Sequence, residues 1–196
     1  MKTGSAAGMS GADAAAGLPH DGAAPHILIV EARFYEDIAD MLVNGATDTL
    51  KAAGATYEIV SVPGALEIPQ ALGLASEAMR FSMSPLLQDE MDEDEALPAE
   101  QTFDGAIMLG CVIRGETAHY DVVCDNANHW SMELAMMENL PLGNGLLTVD
   151  TADQAIKRAE GGASGKGGDA ARACLSLIAL RNKFSKQVMA GARDDA

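Results

Sequence analysis

The sequence predicts an α/β fold: a parallel sheet with helices on both faces. Three observations lead there. Strand-length runs recur at His26–Ala32, Tyr57–Val62, Gly105–Cys111 and Leu142–Val149. Each is followed by a stretch in which apolar residues return every three or four positions, the period of a helix. Gly, Pro and polar turn residues punctuate the joins. Strands that alternate with helices pair in parallel, because each crossover returns the chain to the same end of the sheet. The crossovers are right-handed, and ligands of such sheets sit beyond the carboxyl ends of the strands.

The elements follow in order. Residues 1–24 are Gly/Ala-rich and read as a disordered tail, without the strongly apolar middle of a signal peptide. HILIVEA (His26–Ala32) is an unbroken apolar run, as a strand buried on both faces requires. Ile38, Met41, Leu42, Ala46 and Leu50 mark the first helix, closed by Gly54. Pro63-Gly64 turns the chain from the second strand into a helix whose first turn holds Pro69. Arg80–Thr102 breaks the rhythm with two prolines and seven acidic residues between Asp89 and Glu100. We read it as a surface insertion (about 81–102) within one domain, 25–186. A long helix spans about Ala118–Glu138. Thr151 and Gln154 form a capping-box pattern opening a short helix to about Ala159. The glycine-rich stretch GGASGKGG precedes a final helix from Asp169 to about Lys183, and residues 187–196 read as a second disordered tail.

Composition narrows the function classes. The net charge of −16 leaves no basic face for nucleic acid. No apolar run reaches 18 residues, so no membrane span is expected. Three cysteines without a CxxC pair fit a reducing, cytoplasmic setting with incidental thiols. Neither GxGxxG after the first strand nor GxxxxGK[ST] occurs, which argues against dinucleotide and P-loop chemistry.

The densest chemistry lies in GCVIRGETAHYDVVCDN, Gly110–Asn126. An apolar strand stops at Arg114-Gly115; Thr117 and His119 stand where a helix begins. Unpaired N–H groups at a helix start attract anions, and an imidazole beside them can shuttle protons near neutral pH. The alternatives are an ordinary N-capped turn and a surface or packing histidine. Glu116 fits an anion site only if it points outward or pairs with Arg114. His119 and Asp121 point to different helix faces, so a metal site is not expected. A Cys124–His119 nucleophile pair lacks an oxyanion hole. Further along, Arg158 and Lys166 offer cations, or a helix C-terminal cap and a solvated loop. Phe34 offers a ring for stacking, or core packing. Pro63–Glu67 offers turn backbone and an acid, or a helix start. The strand-end rule places Phe34, Pro63–Glu67, Val112–His119 and Asn144 around one crevice.

Together EARFYEDIA, VPGALEIP, GCVIRGETAHYD, GNGLLTVD with QAIKRA, and GKGGDAA resemble lumazine synthase, from about His26 to Phe184. The resemblance implies a flavodoxin-like three-layer sandwich around a four-stranded parallel sheet. It implies condensation of 5-amino-6-(D-ribitylamino)pyrimidine-2,4-dione with 3,4-dihydroxy-2-butanone 4-phosphate through an imine, with loss of phosphate and water, and no cofactor or metal. By the resemblance Phe34 stacks on the pyrimidine; Ala65, Leu66, Glu67, Val112 and Ile113 line the ring and ribityl site. His119 moves protons; Gly115, Glu116, Thr117, Arg158 and Lys166 hold phosphate. Sites of the family lie between pentamer subunits, so Arg158, Lys166 and Asn144 come from the neighbour. Some members close twelve pentamers into a 60-subunit shell using an N-terminal strand; Pro19 and Pro25 disfavour such pairing here, and a pentamer is expected. Three departures stand out: Tyr35 where many members have Asn, Asn144 where many have an aromatic, and the long insertion, placed away from the crevice. A non-catalytic flavin- or lumazine-binding homologue and a scaffold recruiting partners through its acidic segment are the competing classes. The retained His119, Arg158 and Lys166 favour the enzyme.

Overall fold

The computed structural model describes residues 24–82 and 101–194. Four strands form one sheet: β1 (His26–Ala32), β2 (Thr56–Val62), β3 (Gly105–Ile113) and β4 (Leu142–Val149). Their order is β2-β1-β3-β4 and every pair is parallel. Five helices are seen among the described residues: α1 (Glu36–Ala52), α2 (Glu67–Glu77), α3 (His119–Met137), α4 (Ala152–Ala159) and α5 (Lys166–Asp194).

The layering follows from strand parity. Successive side chains of a strand point to opposite faces. Ile27 and Ile29 of β1 join Ile107, Leu109, Leu147 and Val149 in a core with α1, α4 and α5. Leu28 and Val30 join Ala106, Met108, Leu142 and Leu146 in a second core with α2 and α3. Both faces of the central strands are therefore buried, which is why β1 and β3 read as unbroken apolar runs. Edge strand β2 is largely exposed.

Several boundaries differ from the sequence reading. β3 runs two residues further, to Ile113. α5 begins at Lys166, three residues before Asp169, and continues to Asp194, so 187–194 is helical where a tail was expected. The glycines that suggested a loop serve close packing instead. A Cβ at Gly167 would run into the Leu42 carbonyl of α1, and one at Gly168 into the Ala163 carbonyl. Only glycine lets the backbones approach this closely. Beyond this crossing no proline interrupts the helical sequence before the chain ends.

At α4, Thr151 Oγ1 accepts from Gln154 N at 3.3 Å, while the Gln154 side chain accepts from the Asp150 N–H, one residue before the cap. Pro69 sits in the first turn of α2. The Gly/Ala-rich segment 1–23 and insertion residues 83–100 lie outside the described residues. The flanks of the insertion are close together: Phe81 and Phe103 form a parallel bridge, and Phe103 N donates to Arg80 O at 2.6 Å. Asp104 N donates to the carbonyl of His26, the first residue of β1. The described flanks, Phe81 and Phe103, thus lie at the amino end of the sheet, opposite the carboxyl ends of the strands.

Candidate active site at the strand carboxyl ends

Three loops follow the carboxyl ends of β1, β2 and β3. Phe34 lies two residues past β1. Its ring is 70% exposed, which sets it apart from a core phenylalanine. Tyr35 meets it edge-on, with ring centroids 4.9 Å apart. Tyr35 occupies the N-cap position of α1 in extended conformation and makes no side-chain cap bond. The phenol, lacking the short polar side chain of a capping residue, serves here as a support for the Phe34 ring. Arg33 N donates to Val62 O at 3.0 Å, which ties the start of this loop to the end of β2.

After β2, Pro63 and Gly64 turn the chain into α2. Ala65 is buried with Ala32 and Ile68, and Leu66 and Val112 pack against the same cluster. Of the residues read from the sequence as lining one pocket, Ala65, Leu66, Glu67 and Val112 thus sit at adjoining strand ends on the α2/α3 face, whereas Ile113, the last residue of β3, packs against the opposite core. Glu67 opens α2, where its carboxylate faces the positive end of the helix.

After β3, residues 114–119 are all exposed. Thr117 Oγ1 accepts weakly from His119 N at 3.4 Å; Ala118 holds the N-cap position of α3 without a side-chain cap bond, and the imidazole of His119 lies in the first turn. Glu116 does not pair with Arg114. The Arg114 guanidinium instead binds Asp121 at 3.1 Å and Asp150 at 3.2 Å, and lies 4.0 Å from the Tyr120 ring centre. These contacts raise the Arg114 pKa, the hydrogen bond with Asp121 most.

Three predicted residues are not with these loops. Asn144 does not follow a strand: it is the third residue of β4, paired in register with Met108. That is roughly 17 Å along the strand from Val149 at ~3.3 Å per residue. Its Nδ2 donates to Asn128 Oδ1 at 2.7 Å and its Oδ1 accepts from Leu146 N. The shared crevice therefore does not include Asn144 of the same chain. Arg158 and Lys166 belong to the α1/α4/α5 layer, whereas α3, which carries His119, covers the opposite face. Arg158 Nη1 donates to Gln154 O at 2.9 Å; with Asp153, Gln154 and Lys157 it lines a shallow cavity of about 520 Å³. Lys166 pairs with Asp169 at 2.7 Å.

Two features have no counterpart in the sequence reading. Glu31 is a buried carboxylate in β1, held by Arg33 and Ser61; its charge inside HILIVEA was the available signal. An apolar groove of about 610 Å³ runs between α2 and α3, from Leu66 and Val122 to Trp130 and Met137. Trp130, Met136 and Met137 are more than half exposed. Among the described residues no helix is long and apolar enough to cross a membrane.

The family model described as 6,7-dimethyl-8-ribityllumazine synthase matches residues 24–182. A 6,7-dimethyl-8-ribityllumazine synthase 1 of Rhizobium meliloti is 48% identical over 162 residues, covering 83% of this chain and 95% of the relative. The 6,7-dimethyl-8-ribityllumazine synthase of Agrobacterium fabrum is 46% identical over 160 residues, covering 82% and 97%. A 6,7-dimethyl-8-ribityllumazine synthase 1 of Rhodopseudomonas palustris is 45% identical over 160 residues, covering 82% and 88%. Because the family model covers residues 24–182 and these relatives align over more than four fifths of the sequence, this chain belongs to the 6,7-dimethyl-8-ribityllumazine synthase family.

Proposed function

We propose that this chain is an active lumazine synthase. It joins 5-amino-6-(D-ribitylamino)pyrimidine-2,4-dione to 3,4-dihydroxy-2-butanone 4-phosphate. The amine attacks the ketone and an imine forms with loss of water. Phosphate is then eliminated, and ring closure releases a second water. No step is a net redox change, so the chemistry needs no redox cofactor. The observation that carries this reading is the exposed Phe34 ring after β1 and the exposed loop leading to His119 after β3, the neighbouring strand. A flat heterocycle stacks on the ring, and the imidazole moves protons for imine formation and elimination.

Phosphate is held by the backbone of Gly115 and Glu116 and the Thr117 hydroxyl, near the positive end of α3. Arg158 and Lys166 of the partner subunit supply the countercharge. Asn144 of the partner subunit reaches the pyrimidine, with amide hydrogen bonds in place of an aromatic face. Two observations support a site shared between subunits of a homopentamer. On one chain Arg158 and His119 belong to opposite layers, and the α2/α3 face exposes Trp130, Met136 and Met137, an apolar surface of the kind that interfaces cover.

The test mixes both substrates with purified protein and follows lumazine absorbance. No rate above the uncatalysed background removes the reading. His119→Ala slows turnover about 10-fold or more, and an unchanged rate removes His119 from the mechanism. Light scattering measures the assembly, since a pentamer and a 60-subunit shell differ twelvefold in mass.

A further inference from the structure

Arg114 is the arginine nearest in sequence to the candidate phosphate loop, yet its donors point elsewhere. Nη2 lies 3.1 Å from Asp121 Oδ1, and Nε lies 3.2 Å from Asp150 Oδ1. The face of the guanidinium lies over Tyr120. Its backbone N–H donates to Val149 O at 2.9 Å. One residue therefore joins the end of β3, the first turn of α3 and the turn after β4. Without that cation, Asp121 and Asp150 would stand close together beside a loop that also carries Glu116.

Resting on the reading above, we propose that Arg114 is a positioning residue of the anion site and not a phosphate ligand. It clasps Asp121 and Asp150, holds the first turn of α3 that carries His119, and cancels charge that would repel a phosphate dianion. Arginine suits this task because its planar fork serves two carboxylates while its face stacks on a ring. A lysine ammonium keeps the charge but cannot do both.

The test uses full-length protein and inorganic phosphate as the probe. It compares wild type, Arg114→Ala, Arg114→Lys and the triple variant Arg114→Ala/Asp121→Asn/Asp150→Asn. Phosphate affinity is read by calorimetry, and the Asp121 and Val122 amides by hydrogen exchange. Arg114→Ala weakens phosphate binding about threefold or more at low salt, less at high salt. The triple variant returns to within about twofold of wild type, because the unpaired carboxylates are gone. Exchange of both amides quickens in Arg114→Ala and in Arg114→Lys, since neither side chain rebuilds the clasp. Phosphate binding that stays weak in the triple variant would make Arg114 a direct ligand and overturn the proposal. Unchanged affinity and exchange in Arg114→Ala, or a wild type that does not bind phosphate, would overturn it as well. Wild-type protein that binds phosphate but forms no lumazine removes the enzymatic reading alone; the affinity and exchange results still decide the role of Arg114.

Discussion

Arg33 Nη1 lies 2.9 Å from Glu31 Oε1, two residues back along β1, and the Glu31 side chain is only 4% exposed. Residues two apart in a strand share a face, so the guanidinium folds back over its own strand. Ser61 of β2 donates to the same carboxylate at 2.7 Å, and Asp40 of α1 binds the other guanidinium nitrogen at 2.6 Å. The hydrogen bonds from Arg33 to Asp40 and to Glu31 raise the Arg33 pKa further. A buried carboxylate is tolerated only when paired. Arg33→Ala is expected to lower the free energy of unfolding by about 3 kcal/mol, because it strands Glu31. Arg33→Ala/Glu31→Leu should regain most of that. Urea denaturation measures both; a loss below ~1 kcal/mol in the single variant would show that Glu31 finds another partner.

Phe34 contributes little to the core, so Phe34→Ala should leave Tm nearly unchanged. Loss of its stacking face should raise KM for the pyrimidine roughly two- to tenfold and KM for the phosphorylated ketone by less than about twofold. Steady-state kinetics with each substrate varied separates the two. Tyr35→Phe keeps the edge contact and should behave as wild type; a pyrimidine defect there would give the hydroxyl a direct role.

Arg158→Ala should act in the opposite sense. In the proposed role of Arg158 it removes a cation from the phosphate end, so KM for the phosphorylated ketone should rise about tenfold or more, the scale of a charge-assisted hydrogen bond. Pyrimidine binding should hold. Equal losses for both substrates would mean that Arg158 maintains the site in general and does not recognise phosphate.

Gly167→Ala tests the α1/α5 crossing. The added methyl meets the Leu42 carbonyl, a backbone atom that cannot swing aside. The helices must separate, and destabilisation of about 1–3 kcal/mol or more follows. Gly73→Ala has open space around the new Cβ and should stabilise slightly through helix propensity. Thermal melts of the pair give the comparison, and equal Tm values would disprove the close crossing.

At the start of α5, partial burial pushes the Asp169 carboxyl up, but hydrogen bonds from Lys166 and Arg172 outweigh it and hold the pKa below its usual value. A carboxylate with a depressed folded pKa stabilises the fold above its unfolded pKa of about 3.9. That contribution disappears as pH falls from there through the lowered folded value. Wild type should therefore lose more Tm between pH 5 and pH 3 than Asp169→Asn does. Identical losses would mean the pairing adds nothing to stability.

The thiols are largely sealed. Burial pushes Cys174 up to about 12 and Cys111 up to about 11. Cys124, half-buried, is raised less, its largest cause also desolvation. The thiolate is the reacting form, so a thiol reagent at pH 7.5 should modify at most one cysteine in the native protein and all three after denaturation. Rapid native modification of more than one would contradict the burial of Cys111 and Cys174.

The strands, the helices and the loops after β1, β2 and β3 were legible in the amino-acid order, because apolar periodicity and turn residues are local signals. The same signals placed Phe34, Pro63–Glu67 and Val112–His119 at one end of the sheet. Contacts between distant segments were not legible. Gly167 and Gly168 look like loop residues until α1 crosses them. Arg114 looks like a partner for Glu116 until Asp121 and Asp150 claim it. Asn144 proved to lie within β4, away from the strand end, and Arg158 on the layer opposite His119. Sequence alone determined which chemical groups this protein carries and at which strand ends most of them emerge, since period and turn chemistry act over a few residues. Tertiary structure decided which charges neutralise one another and which layer each cation occupies, because pairing depends on distances in space that no local pattern encodes.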